Sequence, residues 1–245
     1  MAILEVKKLN KIFPGGLFEK PRHVLKDVTF SLPECETTGF VGSNGSGKTT
    51  SIKCMLEFMR PDSGEILFFG KPLNLAAKTR IGYLPERPYL YEFLTGIEFL
   101  KLHWNLVQES NKDFLERAHE VLKRVDLFDS RDKKLRQYSK GMLQRVGIAQ
   151  AIINKPDLLI LDEPMSGLDP DGRGLVKDIL RDEAKRGTSL FFSSHLLLDM
   201  EELCSHLVVI NKGVVLYDGE LSPFMNQYAS LEDAFRFAKG QGGQS

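Results

Sequence analysis

The stretch GSNGSGKT, Gly42 to Thr49, decides the fold of this 245-residue chain. It matches the pattern G-x-x-x-x-G-K-[ST] at every defined position. The apolar run Thr37 to Gly42 before it predicts a strand, and the segment from Thr49 to Met59 predicts a helix that ends before Pro61. A glycine-rich loop between a strand and a helix is the context in which backbone N–H groups bind phosphate. The stretch therefore predicts an α/β fold with a phosphate site.

Each residue type in the loop has a chemical reason. The glycines let the backbone turn tightly and direct N–H groups at phosphate oxygens, and the helix N-terminus adds partial positive charge. Lys48 is expected to reach the β- and γ-phosphates, and the Thr49 hydroxyl is expected to bind Mg²⁺. The predicted ATP-binding residues here are Gly42, Ser43, Asn44, Gly45, Ser46, Gly47, Lys48, Thr49 and Thr50.

A second motif, LLILDEP, ends an apolar strand in Asp162 and Glu163. Carboxylates in that position lie at the edge of a parallel sheet where ligands bind. Asp162 is expected to hold Mg²⁺ through a water, and Glu163 to act as the general base that polarises an attacking water. The alternative is that Asp162 and Glu163 are two surface acids in a turn before Pro164. The presence of the phosphate loop argues against this alternative.

Strand and helix patterns alternate in the first and last thirds of the chain, which predicts a mainly parallel sheet. Helical spacing dominates between them, from Glu92 to about Ile153. Further expected elements are strands at 3–6, 24–32, 157–162, 188–194 and 206–213, a strand followed by a turn within 64–73, and helices at 175–185, 195–204 and 230–240.

Composition narrows the class of protein. Lys plus Arg and Asp plus Glu both total 33, so there is no basic excess and no nucleic-acid partner is expected. The totals leave open a local basic face. Cys35, Cys54 and Cys204 are widely spaced, which predicts small buried side chains in a reducing compartment. No apolar run reaches about 18 residues, so no membrane span is expected, and the N-terminus does not resemble a signal peptide.

Five motifs together resemble one family. The phosphate loop, YSKGMLQR, LLILDEP, SGLDP and SSH follow the order and approximate spacing of an ABC-type ATPase, the nucleotide-binding subunit of ABC transporters. The resemblance runs from Leu4 to about Asp218. It implies a P-loop NTPase (RecA-like) core with a mainly parallel sheet, an N-terminal antiparallel β subdomain and an inserted α-helical subdomain. The implied nucleotide-binding domain is 1–225, with core 1–86 and 154–225 and helical subdomain 87–153, and 226–245 is a short helical and disordered tail.

The resemblance also assigns site residues. His195 is similar to the switch histidine that contacts the γ-phosphate, which makes it catalytic together with Glu163 and Lys48. Phe13 is similar to the aromatic that stacks on adenine, and Glu86 stands at the Q-loop position that binds ATP and Mg²⁺. Residues expected to act across a dimer interface are Ser139, Lys140, Gly141 and Met142 of the signature and Ser166, Gly167, Leu168 and Asp169 of the D-loop. Without the other motifs, the favoured interpretation of His195 would be a surface residue that caps a helix, and that of Phe13 would be a residue that packs in the core.

Two departures from the family pattern stand out. Glu86 replaces a glutamine; its carboxylate can still reach Mg²⁺, but its charge changes the field near the phosphates. The usual signature is LSGGQ, and here Lys140 and Met142 replace its first glycine and its glutamine. Ser139 and Gly141, which are expected to touch phosphate, are kept. Ser139 is a suitable helix N-cap, whereas Met142 cannot make the capping-box bond of a glutamine.

The resemblance implies an ATP-hydrolysing subunit that uses ATP and Mg²⁺ and pairs with itself or a paralogous subunit. The signature and the GYLPE loop resemble an exporter group whose integral membrane permease is a separate chain, which implies the cytoplasmic face of the membrane. Its contact is expected at 87–104, with Tyr89, Tyr91 and Phe93 partly exposed and Phe99 and Leu102 in the core. A soluble ABC ATPase acting on nucleic acid or ribosomes, and a regulatory protein without turnover, are the alternatives.

Overall fold

The computed structural model describes residues 1–15, 20–88, 90–108, 110–226 and 228–241. The chain divides into two compact units, Met1–Ala77 with Phe191–Ser245, and Lys78–Leu190. The strands are β1 (Ala2–Phe13), β2 (Arg22–Pro33), β3 (Thr37–Val41), β4 (Ser63–Phe68), β5 (Ile81–Leu84), β6 (Leu158–Asp162), β7 (Ser189–Ser194), β8 (His206–Asn211) and β9 (Val214–Glu220). The helices are α1 (Lys48–Met55), α2 (Leu75–Lys78), α3 (Gly96–Asn105), α4 (Phe114–Arg124), α5 (Lys140–Ile152), α6 (Pro170–Lys185), α7 (Leu197–Leu203), α8 (Leu221–Met225) and α9 (Leu231–Gln241).

The first unit contains the antiparallel N-terminal sheet that the sequence predicts. Its strand order is β2-β1-β4, and Leu4 on the central strand lies opposite Leu32 and Phe68. All three side chains are buried. Because side chains alternate along a strand, this register places one apolar face of the sheet in the core.

The same unit contains the parallel pairing that carries the phosphate loop. Strand β3 pairs in parallel with β8, and β9 pairs antiparallel with β8. Phe40 on β3 packs between Phe30 and Phe191, with ring centroids 5.6 and 5.1 Å apart. These aromatic contacts fix the strand that leads into the loop.

The second unit combines β5 and β6, which pair in parallel, with the helical block. Helix α3 begins at Thr95, whose side chain and Glu98 form a complete capping box. Helix α4 buries Ala118, Val121 and Leu122, which lie three and four residues apart on one face. The helical block of the sequence is therefore confirmed as separate helices.

Several boundaries differ from the sequence prediction. Helix α1 ends at Met55 rather than Met59, since the chain enters a left-handed turn at Glu57, with φ of 59°. Helix α6 begins at Pro170 rather than Leu175, because Asp169 accepts a hydrogen bond from Gly172 and proline suits the first helical turn. The sequence patterns also missed α2, α8, β5 and β9.

The cysteines are only partly as predicted. Cys54 and Cys204 are buried, and burial raises the pKa of the Cys54 thiol to about 11 and that of Cys204 further. Cys35 is exposed in the turn after β2, so the prediction that it is buried is wrong. None of the three thiols, all within the described residues, forms a disulfide. Within the described ranges, we find no helix of the length and apolarity needed to cross a bilayer.

Candidate active site

The phosphate loop connects β3 to α1 in the first unit. Gly45 and Gly47 have φ of 76° and 115°, the left-handed region that glycine adopts without strain. Gly42 is required for a different reason, since a Cβ atom there would lie 2.5 Å from the carbonyl oxygen of Ile210. The loop therefore needs all three glycines.

Lys48 is buried at the first position of α1, with 8% of its surface exposed. Its ammonium donates to the carbonyl oxygen of Gly42 at 2.7 Å and approaches that of Ser43 at 3.5 Å. The loop is closed by a bond from the Ser46 N–H to the Ser43 carbonyl oxygen at 3.0 Å. The ammonium is thus held over the inside of the loop, where the positive end of the helix also points.

The acidic strand end belongs to the second unit. All five residues of β6 are buried, and Asp162 at its end is 1% exposed. Glu163, the next residue, has φ of 54°. A left-handed conformation costs a non-glycine residue about 1–3 kcal/mol and is found at functional sites. The geometry identifies Glu163 as a residue that the surrounding structure forces into position.

Gln144 on α5 helps to hold the backbone of Glu163 in this conformation. This glutamine is 5% exposed, and its Nε2 donates to the carbonyl oxygens of Glu163 at 3.3 Å and Pro164 at 3.0 Å. None of the sequence motifs includes this residue in such a role. Its signal was a glutamine among the apolar residues of the buried helix face, which requires a hydrogen-bond partner.

We expect Gln144→Leu to lower kcat about tenfold and to leave the Kd for ATP unchanged. The leucine fills similar volume but removes both hydrogen bonds, which leaves two carbonyl groups without this donor and costs about 1–3 kcal/mol of stability. Steady-state ATPase assays and nucleotide titrations measure the two quantities. Gln150→Leu, half-buried on the same helix, is the matched control. An unchanged kcat in a folded Gln144→Leu protein would contradict the positioning role.

The signature stretch begins α5. Ser139 is the N-cap, with φ of −65° and ψ of 164°, and its hydroxyl accepts a hydrogen bond from the Met142 N–H at 3.2 Å. The predicted cap is therefore confirmed. Gly141 lies one residue into the helix, and a Cβ atom there would lie 3.5 Å from the side chain of Leu168.

The D-loop lies beside the signature in the same unit. A Cβ atom on Gly167 would lie 2.8 Å from the Lys140 ammonium, so the lysine side chain covers this glycine. Gly167 itself has φ of 73°. The two motifs that the sequence assigns to a dimer interface therefore form one continuous surface, and Lys140 directs its charge at the D-loop.

The remaining predicted residues are divided between the units. In the first unit, Phe13 is half-buried at the end of β1 and pairs with Arg22 of β2. The Arg22 guanidinium lies 3.7 Å from the position that a Cβ atom on Gly45 would occupy. This places the strand end near the phosphate loop. His195 is exposed after β7 and precedes α7, whereas Glu86 is exposed in a bend after β5 of the second unit. Thr49 and Thr50 are half-buried in the first turn of α1.

A glycine loop with a buried lysine at the start of a helix defines a P-loop nucleotide-binding protein. The particular family follows from comparison with known proteins. The sequence model of the ABC transporter family matches residues 25–166, more than half of the chain. The chain belongs to the ABC transporter family, as an ATP-binding subunit with ATPase activity.

Individual relatives agree with that assignment. An uncharacterised ABC transporter ATP-binding protein of Nostoc sp. is 41% identical over 91% of this chain and 68% of its own length. A similar protein of Synechocystis sp. is 40% identical over 94% of this chain. The chain spans about two thirds of the length of these two relatives.

Solved structures show the same fold. The structure of an ATP-binding subunit of an ABC transporter superposes with a TM-score of 0.86 and 32% identity, and covers 97% of this chain and 99% of its own. The structure of cbiO1 from Clostridium perfringens, described as part of the ABC transporter complex cbiONQ, has a TM-score of 0.78 and 26% identity over 92% and 91% of the two chains. The predicted P-loop NTPase fold is therefore confirmed.

Proposed function

We propose that this chain is the ATP-hydrolysing subunit of an exporter whose membrane-spanning subunit is a separate polypeptide. The observation that carries the proposal is the phosphate loop, with Lys48 buried over its inner side. In this proposal 1–225 is a single nucleotide-binding domain, with core 1–86 and 154–225 and helical subdomain 87–153, and 226–245 is a tail. The subunit acts at the cytoplasmic face of the membrane.

Each motif has one role in the proposed reaction. Phe13 stacks on adenine, the loop binds the phosphates, Glu163 takes a proton from the attacking water, and His195 contacts the γ-phosphate. Two copies, or one copy and a paralogous subunit, enclose two ATP molecules head to tail. The continuous surface of signature and D-loop supports this arrangement, because it presents the capped start of α5 to a ligand held by another chain.

Mg²⁺ fits the donor chemistry of the residues that are predicted to bind it. Thr49, Glu86 and Asp162 offer only oxygen ligands, and Mg²⁺ is usually bound by one or two carboxylates together with substrate phosphates. Within the described residues no cluster of three or more acidic, histidine or cysteine side chains could hold a metal by itself. When bound, Mg²⁺ would neutralise charge that develops on the phosphates.

The proposed contact with the membrane subunit lies on the second unit. Tyr91 and Phe93 are 53% and 67% exposed, and their ring centroids are 5.9 Å apart. Phe99 is buried as predicted, but Leu102 is 38% exposed, so the prediction that it is in the core is wrong. Tyr89 lies outside the described residues. Exposed aromatic pairs are typical of partner surfaces, and cbiO1 is itself part of a transporter complex.

We expect Tyr91→Glu to reduce transport at least about tenfold while ATP hydrolysis by the isolated subunit is unchanged, because a carboxylate is costly in an apolar interface. The measurements are copurification of an integral membrane protein with the tagged chain, transport in vesicles, and ATPase activity. Phe58→Glu, at a 65% exposed aromatic of the first unit, is the matched control. Normal transport by Tyr91→Glu would contradict the contact, and the absence of any copurified membrane protein would contradict the proposed function.

A further inference from the structure

Two cavities of the first unit meet at one residue of the C-terminal helix. The first, of about 370 Å³, is lined by the phosphate-loop residues 43–46, by Asn211 at the end of β8, by Lys212 in the turn that follows, and by Lys239 of α9. The second, of about 560 Å³, is lined by His195 and also by Lys239. Lys239 therefore borders both the loop that binds phosphate and the histidine that is expected to contact the terminal phosphate.

The charge in the smaller cavity favours an anion. Two of its lining residues are lysines, Lys212 and Lys239, and its other lining side chains belong to serines and asparagines. None of these lining residues is acidic. The Arg22 guanidinium also approaches the loop, at 3.7 Å from a Cβ position on Gly45. Cations beside backbone N–H groups at a helix start form a phosphate-binding environment.

Helix α9 holds Lys239 in a defined place. Leu231 and Ala234 of the helix are buried, and the Leu231 N–H donates to the carboxylate of Glu201 on α7 at 2.6 Å. The Lys239 ammonium lies 5.1 Å from the ring centroid of Phe235, one turn earlier on α9. The half-buried stem and the cation–π contact restrict the side chain, so less entropy is lost when it binds a ligand.

We propose that Lys239 binds the terminal phosphate of ATP, so that α9, which lies within the C-terminal segment 226–245, contributes to the nucleotide site. The inference rests on the proposed function of the phosphate loop. Lys48 is expected to reach the β- and γ-phosphates from the start of α1. Lys239 approaches the other half of the loop, residues 43–46, from the side on which His195 lies. None of the five sequence motifs includes this residue.

Isothermal titration of the full chain with ATP and with ADP, each with Mg²⁺, tests the proposal. Lys239→Gln is expected to weaken ATP binding about threefold to tenfold and ADP binding less than about twofold, the range for a charge-assisted contact that is partly exposed to solvent. Lys239→Arg is expected to bind ATP as the unmodified chain does. The loss should shrink at about 1 M salt, where charges are screened within a few ångströms.

Arg236→Gln is the matched control, because it removes a cation from the same helix that lines only the His195 cavity. Equal ATP affinity of Lys239→Gln and the unmodified chain would overturn the proposal, and so would tighter binding, which would mean that α9 obstructs the site. Equal losses for ATP and ADP, or the same loss in Arg236→Gln, would also overturn it. Lys48→Ala distinguishes a failure of the Lys239 proposal from a failure of the proposed function. If this variant binds ATP normally, the proposed role of the phosphate loop is contradicted as well.

Discussion

Glu163→Gln is expected to lower the rate of ATP hydrolysis about 10²–10⁴-fold, the usual contribution of a general base, while ATP binding is retained. The amide has the shape of the carboxylate but cannot accept the proton of the attacking water. Gln144 bonds to the backbone of Glu163 and not to its side chain, so the left-handed conformation should survive the change. Steady-state ATPase activity and equilibrium nucleotide binding measure the two effects.

The same variant should also trap the dimer. In the proposed dimer, ATP should remain between the two subunits when hydrolysis stops. Size-exclusion chromatography with Mg²⁺ and ATP should therefore show more dimer for the variant than for the unmodified chain. Glu116→Gln, an exposed glutamate on α4, controls for the loss of one negative charge. Hydrolysis by Glu163→Gln at the rate of the unmodified chain would show that another group is the base.

The parts of the fold that the sequence predicts correctly are those where the signal is continuous along the chain. The phosphate loop, the buried strand β6 and the capped start of α5 each need only a few consecutive residues, so local patterns suffice. Strand β9 was missed because its half-exposed residues pair with β8 without a clear alternation. The first turn of α6 was missed although Asp169 and Pro170 are a standard start signal.

Two site contacts depend on tertiary packing, and the local sequence does not identify the partner in either of them. Gln144 meets Glu163 only because α5 packs against the turn after β6, 19 residues further along the chain. Lys239 lies beside the phosphate loop only because α9 is anchored on α7 through Leu231 and Glu201. The spacing of residues along the chain does not predict that Gln144 contacts Glu163 or that Lys239 lies beside the phosphate loop. Both contacts depend on how the helices pack in the folded chain.

Ser139→Arg is expected to reduce ATPase activity by at least about 100-fold while the single chain binds ATP normally. The arginine removes the cap of α5. In the proposed dimer, it would also fill the space of the γ-phosphate of the ATP that the other subunit holds. Losing the cap alone costs about 1 kcal/mol, which does not stop turnover. Ser139→Thr, which keeps a capping hydroxyl, should remain active and separates the two effects. A loss of ATP binding by the Ser139→Arg chain alone would mean that the signature acts within its own subunit.

Mixing two inactive variants gives the sharper test of action between subunits. Lys48→Ala damages the phosphate loop and Ser139→Arg damages the signature, which lie in different units of the chain. In a head-to-tail pair of the two variants, one site combines both defects, and the other combines the intact loop of the Ser139→Arg chain with the intact signature of the Lys48→Ala chain. About half of the dimers in an equal mixture carry one such site, so about a quarter of the original activity should return. If the signature acted within its own chain, every site would carry a defect and mixing would restore nothing.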